Sequence, residues 1–162
     1  MSNPIDSTPS SSPIDVSAEE KHILSLVSLE DTDSSVNHLK AHKLKVKSTG
    51  NPYLLAHLLS HLGHLQTLQG NYEEARETLN EADFVLIEAA KRDSHESPQR
   101  HRAWIRYMLE RGRFFSMTGW EDSAKSITRS SMEMARDTGH FDLFQESVRV
   151  CKELGILDSI GD

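Results

Sequence analysis

Residues 54–82 read LLAHLLSHLGHLQTLQGNYEEARETLNEA, and this stretch decides the fold. Leucines recur in its first half at intervals of three and four residues, which is the period of one buried helix face: Leu55, Leu58, Leu59, Leu62 and Leu65. Gly70 marks the end of that helix, and Asn71 is expected to cap the next one by accepting hydrogen bonds from its first amides. A second apolar face follows at Tyr72, Ala75, Leu79 and Ala82. Its small side chains allow close approach around Gly63, so the stretch predicts a helical hairpin.

Similar periodic segments, separated by turn residues, cover most of the remaining chain. Ser17 and Glu20 form a capping box that predicts a helix start at Ala18, and Asp33 is the expected cap of the following helix. No segment alternates with a period of two, so no strand is predicted. The predicted fold is all-α, with about seven helices packed as antiparallel hairpins. The predicted helices span residues 18–30, 35–48, 52–69, 72–92, 100–117, 120–137 and 141–154.

Several apolar side chains are assigned to the core from the same periodicity. Leu44 is expected to face inward from its helix, although the pattern there is less regular. Four aromatic residues at helical spacing are interpreted as core residues rather than as a stacking platform for bases: Trp104, Tyr107, Phe114 and Phe115. Cys151 falls on the apolar side of the last predicted helix and is expected to be an inert packing residue.

Length and composition indicate one domain that is not embedded in a membrane. The 162 residues are 36% hydrophobic and 27% charged, which is ordinary for a globular protein. Residues 1–16 are rich in Ser, Thr and Pro and are expected to be a disordered tail, so the predicted domain covers residues 17–162. No apolar run approaches the roughly 20 residues of a membrane-spanning helix, and the first residues do not resemble a secretory signal. With a single cysteine as well, the expected location is cytoplasmic.

The net charge and the positions of the charged residues indicate which kinds of partner the protein can bind. A net charge of −7 argues against nucleic acid and acidic membranes as partners, because both attract basic patches. Residues 34–72 nevertheless contain no acidic residue, while Lys40, Lys43, Lys45 and Lys47 are joined there by five histidines. One part of the surface is therefore neutral to basic on an otherwise acidic protein.

An internal repeat supports a family resemblance. Gly63, Gly70 and Ala75 recur as Gly112, Gly119 and Ala124, at a constant offset of 49 residues. The first copy resembles a tetratricopeptide repeat, and its matching residues are Leu59, Leu62, Gly63, Gly70, Tyr72, Ala75, Leu79 and Ala82. The second copy matches more loosely, at Met108, Gly112, Phe115, Gly119 and Ala124. The resemblance covers about residues 35–154 and implies hairpins stacked as a right-handed superhelix, with longer second helices than the family's 34-residue repeat has.

The resemblance also implies a binding groove, because the first helix of each hairpin lines the concave side in that family. The implied lining residues are His57, Ser60, His64, Thr67, Arg106, Leu109, Arg113 and Ser116. Arg106 and Arg113 lie two turns apart on one helix face, and guanidinium groups bind carboxylates with two parallel hydrogen bonds. An acidic or C-terminal peptide is therefore one possible ligand. The alternative is that these arginines pair with Glu110 or with acidic residues of a neighbouring helix.

A cluster of histidines raises the possibility of a metal site. His57, His61 and His64 have the spacing i, i+4, i+7, and His38 and His42 repeat the i, i+4 spacing on the preceding helix. Imidazoles at such spacing can bind Zn²⁺ or Ni²⁺. The chain has no HExxH motif, however, and no acidic residue close to them in sequence. The alternative is a polar helix face beside the leucine stripe, and no metal or other cofactor is expected.

Catalytic motifs are absent from the sequence: no nucleophile elbow, Walker loop or dinucleotide fingerprint occurs. The expected function is therefore a non-enzymatic adaptor that binds a peptide or protein in its concave groove. One alternative is a structural module that self-associates, because the chain ends on an unpaired first-type helix whose edge the 156–160 segment or a second copy would cover. The other is a metal-dependent enzyme that uses the histidines.

Overall fold

The computed structural model describes residues 15–156, which form seven α-helices. These are α1 (Val16–Val27), α2 (Thr32–Ser48), α3 (Pro52–Leu68), α4 (Tyr72–Arg92), α5 (Pro98–Met117), α6 (Glu121–Thr138) and α7 (Phe141–Glu153). The predicted all-α fold of about seven helices is confirmed. Residues 1–14 of the predicted tail lie outside the described residues, as does the 157–160 part of the apolar segment. Between residues 15 and 156, no helix is long and apolar enough to cross a membrane.

The helices pack in two layers. The odd-numbered helices contact one another in the order α1, α3, α5, α7, and each even-numbered helix packs between the two odd-numbered helices that flank it in sequence. Two ion pairs also join α2 to α4: Lys40 with Glu74 at 3.2 Å and Lys43 with Glu81 at 2.9 Å. The odd-numbered layer therefore forms one continuous wall, as expected for stacked hairpins.

The first helix begins at a different cap from the predicted one. The Ala18 amide donates to Asp15 Oδ1 at 3.1 Å, so α1 starts two residues before the predicted position. Ser17 and Glu20 do not form the predicted capping box. Glu20 instead accepts hydrogen bonds from Arg102 Nε at 3.1 and 3.2 Å. A tertiary ion pair therefore takes the carboxylate that the local motif would have used.

Two other predicted caps are corrected in a similar way. Helix α2 is capped by Asp31, whose Oδ1 accepts from the Ser34 amide at 2.7 Å, whereas Asp33 accepts a hydrogen bond from Gln69 Nε2 at 2.8 Å. Asn71 stands at the start of α4 but its side chain caps nothing. Its Nδ2 donates to Gln69 Oε1 at 3.1 Å. Through Gln69, the side chains of Asp33 and Asn71 thus connect the start of α2 to the turn between α3 and α4, instead of capping a helix.

The central helix α3 is buried on nearly every side. Thirteen of its 17 residues are buried, and its leucines form the centre of the largest apolar cluster. Two core predictions on other helices are wrong. Leu44 is 74% exposed and Tyr72 is 44% exposed, because α2 and α4 belong to the outer layer and only one side of each meets α3. Of the four predicted core aromatics, Tyr107 and Phe114 are buried, while Trp104 and Phe115 are partly buried against core clusters.

The internal repeat reappears as a repeated close contact. A Cβ atom added to Gly63 would lie 2.6 Å from Leu79 Cγ, and one added to Gly112 would overlap Thr128 Oγ1. Leu79 and Thr128 are themselves separated by the offset of 49 residues. The predicted close approach at Gly63 is confirmed, and the second hairpin packs its helices in the same manner.

We expect Gly112→Ala to lower the free energy of unfolding by about 1–3 kcal/mol, because the new methyl group overpacks the α5–α6 contact. This loss should exceed the gain of about 1 kcal/mol in helix propensity. Among residues 15–156, Thr128 Oγ1 has no hydrogen-bond partner, so Thr128→Ala clears the space without breaking a hydrogen bond. Urea denaturation of both single variants and the double variant measures the coupling. The expectation fails if Gly112→Ala is equally destabilising with Thr128 and with Ala at position 128.

Candidate functional site

A cavity of about 720 Å³ lies among the four odd-numbered helices. Its wall is formed by residues 16–24 of α1, the middle of α3, and the first halves of α5 and α7. The polar side chains of α3, α5 and α7 that line it are His57, His61, Gln99, Arg102, Arg106, Asp142 and Glu146. The apolar residues of the lining are Val16, Leu24, Pro98 and Leu143, and the polar residues of α1 in it are Ser17, Glu20 and Lys21. This is the concave side of the odd-numbered layer.

A buried network of charges forms one side of the cavity. Arg106 donates from Nη1 to Glu110 Oε2 at 2.8 Å and to Glu146 Oε2 at 2.7 Å, and from Nη2 to Glu146 Oε1 at 2.7 Å. Arg113 Nη1 donates to the other Glu110 oxygen at 2.9 Å. Of the two alternatives for these arginines, the structure shows the internal ion pairs. Both carboxylates are therefore held by charge-assisted hydrogen bonds inside the protein.

The pKa values of these groups follow from burial and pairing. Burial by itself would raise the pKa of Glu110, but Arg113, His64 and Arg106 outweigh it and hold that pKa at about 2. Burial likewise would raise the pKa of Glu146, and its hydrogen bonds from Arg106 lower it instead. The network therefore stays ionised at neutral pH, with two positive and two negative charges.

The three histidines of α3 face this network. His61 Nδ1 lies 4.0 Å from Glu110 Oε2, and His64 Nδ1 lies 3.7 Å from Glu110 Oε1. The rings of His57 and His61 meet edge to face with centroids 5.1 Å apart. Burial, followed by the charge of Arg106, lowers the pKa of His57 to about 3 and that of His61 well below its usual value. Burial also lowers the pKa of His64. All three rings are neutral at pH 7.

A second arginine links three of the helices that line the cavity. Arg102 of α5 donates to Glu20 of α1, and its Nη1 and Nη2 donate to the two Asp142 oxygens of α7 at 3.0 and 2.8 Å. The hydrogen bonds from Arg102 lower the pKa of Asp142 to about 2, against the raising effect of partial burial. These hydrogen bonds of Arg102 hold α1, α5 and α7 together along one wall of the cavity.

The predicted groove residues divide into three groups. His57 and Arg106 line the cavity. His64, Arg113 and Ser116 are partly buried, the first two around Glu110. Ser60, Thr67 and Leu109 are fully buried, and the two hydroxyls donate to the carbonyls of Ala56 and Gly63 within their own helix. These last three side chains are inaccessible to a ligand in the free protein, because α3 and α5 lie between other helices rather than at the edge of the fold.

The histidine-metal alternative has no geometric support. The part of the chain that the structure describes contains no group of three or more His, Cys, Asp or Glu side chains arranged to hold a metal ion. The histidines do form a polar face beside the leucine stripe, but this face is in the interior, with His57 and His61 only 4% and 3% exposed. Their partners are each other and the Arg–Glu network.

Sequence reasoning missed four members of the ion pairs at the site, namely Glu20, Arg102, Asp142 and Glu146. A signal for the way α3 and α5 meet was nevertheless present in the repeat. The offset of 49 residues that relates the glycines also relates His57, His61 and His64 to Arg106, Glu110 and Arg113. The first helices of two neighbouring hairpins, α3 and α5, thus carry polar residues at the same three positions of the repeat. These polar residues contact one another in the structure. The contribution of α7 has no such signal, because its pairing with α5 spans 40 residues without a repeated motif.

No protein-family model matches the chain, and a search of curated proteins finds no match.

Proposed function

We propose that this chain is a non-enzymatic, tetratricopeptide-like interaction module that binds a peptide or protein segment in the cavity of its odd-numbered helices. The observation that carries the proposal is the cavity itself, which is open and concave, lined by four helices. Stacked helical hairpins commonly use such a surface to recognise extended segments. The proposed partner is a protein, because the net charge of −7 disfavours nucleic acid.

The electrostatics favour binding over proton transfer. The carboxylates of Glu110, Asp142 and Glu146 are paired with arginines and have lowered pKa values. The neutral His57, with a pKa of about 3, is a weak general base near pH 7, where a useful base would have a pKa close to the working pH. The charged groups of the wall therefore serve to hold its shape, and the wall offers a preformed surface.

Testing the proposal requires substitutions that block the cavity without removing its supports. Arg106 and Arg113 are unsuitable, because both hold the buried Glu110 in place. Leu24 lines the cavity on α1 and is 49% exposed, so Leu24→Trp can fill the opening from a surface position. Leu44→Trp is the matched control, since Leu44 is an exposed leucine of α2 outside the cavity lining. Both variants should unfold at the same urea concentration as the unchanged protein.

The measurement is affinity capture from native lysate, with quantitative mass spectrometry of all three proteins. We expect a partner that Leu24→Trp loses by at least about tenfold, which corresponds to about 1.4 kcal/mol of binding free energy, and that Leu44→Trp retains. A partner retained equally by both variants would contradict the proposed site.

Recovery of the protein alone would favour the self-association alternative. A specific surface supports that alternative: Phe141, Phe144 and Val148 of α7 line a shallow groove of about 420 Å³, and Phe141 is 68% exposed. Sedimentation over a range of protein concentrations separates the two cases, because a self-associating module changes mass with concentration and a monomeric adaptor does not.

A further inference from the structure

The outer face of α7 is a second surface of the protein, separate from the cavity. Its shallow groove of about 420 Å³ is lined by Phe141, Phe144, Gln145, Val148, Arg149 and Lys152. Among residues 15–156, the ion pairs of α7 use only Asp142 and Glu146. Arg149 and Lys152 therefore have no acidic partner there, and Phe141 is 68% exposed. This face combines apolar side chains with unpaired basic ones, on a chain whose net charge is −7.

A second copy of the chain is a poor fit for this groove. A stable interface takes about 20–30 residues from each partner, whereas the groove is lined by six residues of one helix. A two-fold interface would also place the same patch of both copies in contact. Arg149 and Lys152 would then face the same two basic residues of the other copy, and like charges oppose binding. The occupant should instead carry acidic and apolar side chains.

The chain itself supplies a segment with this chemistry. Residues 157–162, which follow the described part of the chain, read LDSIGD and contain two apolar residues, two acidic ones and no basic one. They continue from Ile156, which is fully buried and lies four residues beyond Lys152, the last residue of the groove lining. Six residues span up to about 20 Å, and the groove from Phe141 to Lys152 is about 17 Å long. The LDSIGD segment is therefore long enough to cover the groove.

We propose that the LDSIGD segment binds back along the outer face of α7 and covers this groove. Ile160 packs on Phe144 and Val148, and Asp158 pairs with Lys152. Because the segment is tethered to the helix, its binding does not lose the translational freedom of a separate partner. An acidic segment over this face gives the stack of helices the polar outer end that terminal repeats commonly have. The inference concerns a surface outside the cavity and does not depend on the proposed function.

A nitroxide label on Gly161→Cys in the full chain tests the position of the segment, because the label broadens the NMR signals of nearby amides. Cys151 is buried, so the labelling reagent reacts at position 161. We expect broadening at Phe144 and Val148 and none at Leu44 of α2. A mixture of isotope-labelled chains without nitroxide and nitroxide-labelled chains without isotope detects contact between copies. This mixture should show no broadening, and broadening at the groove in it would assign the groove to a second copy and overturn the inference.

Substitutions in the same nitroxide-labelled chain separate binding from the mere proximity of a tethered segment. Ile160→Ser removes the apolar contact and should lower the ratio of bound to unbound segment at least about tenfold, whereas the neighbouring Ser159→Ala should retain the broadening. Lys152→Glu should lower the ratio about threefold, the effect of an exposed ion pair, and adding Asp158→Lys should restore it. Equal broadening in Ile160→Ser and Ser159→Ala would overturn the inference, and so would a loss in Lys152→Glu that Asp158→Lys does not restore.

Discussion

Replacing Arg106 with methionine is expected to lower the free energy of unfolding by about 3–5 kcal/mol, the usual effect of removing one member of a buried ion pair. Arg106 is 4% exposed and holds Glu110 and Glu146 together. Without it, Glu146 loses both of its strong hydrogen bonds, and Glu110 keeps only Arg113. Two carboxylates then face each other in a poorly hydrated region, where their repulsion is strong.

Urea denaturation at pH 7 measures this loss, and two further proteins show its origin. Arg149→Met removes an exposed arginine of α7 and should change stability by no more than about 0.5 kcal/mol. Arg106→Met combined with Glu110→Gln and Glu146→Gln removes the carboxylate charges as well, and should recover much of the loss. If the triple variant were no more stable than Arg106→Met alone, lost packing rather than unpaired charge would be the cause.

The helix pattern of this chain is local information, and it is therefore readable from the sequence. The period of the leucines in α3 and the position of Pro52 at its first turn both follow from rules that act within a few residues. The contact between Gly63 and Leu79 was equally readable, because a glycine inside a leucine stripe indicates that another element comes close. The same contact at Gly112 then follows from the internal repeat.

The sequence could not predict the partner of a side chain that can bond either to a residue within one helical turn or to a residue far away in the chain. Glu20 fits a capping box with Ser17, yet it pairs with Arg102, which lies 82 residues further along the chain. Asp33 fits an N-cap, yet it accepts from Gln69. A local cap and a tertiary hydrogen bond differ by about 1 kcal/mol or less, so only the packed structure decides between them.

Part of the candidate site could be predicted from the sequence, because some of its contacts follow from the repeat and from the spacing of residues within one helix. The residues that α3 and α5 present to each other are related by the repeat offset, and the pairing of Arg106 with Glu110 is an ordinary i, i+4 interaction. Glu146 and Asp142 come from the next odd-numbered helix. Placing them requires the relative height of α5 and α7, which depends on the packing of α6 between them and not on any spacing in the sequence.

Acidification is expected to destabilise the protein steeply, starting near pH 6.5. The native pKa of His57 is about 3 and that of His61 is well below 6.5, so below pH 6.5 the unfolded chain binds protons that the native state does not. Each such histidine lowers the free energy of unfolding by about 1.4 kcal/mol per pH unit. His57 by itself removes about 2–3 kcal/mol between pH 6.5 and 4.5, and His61 adds a loss in the same direction, which together is a large fraction of the stability of a marginal domain. Below pH 4.5 the lowered pKa of Glu110 adds a loss in the same direction.

Urea denaturation at intervals from pH 7.5 to about 4.5 gives this slope, and His61→Gln identifies its source. A glutamine cannot be protonated in this range, so the variant should have a clearly smaller slope than the unchanged protein, whatever its stability at pH 7, with the remaining slope supplied by His57 and His64. His95→Gln, at an exposed position, is the control and should retain the slope of the unchanged protein. Because the slope counts protons rather than contacts, it separates the titration of His61 from its packing. An unchanged slope in His61→Gln would mean that His61 is protonated in the native protein as readily as in the unfolded chain, and the assignment of a neutral His61 ring at pH 7 would then be wrong.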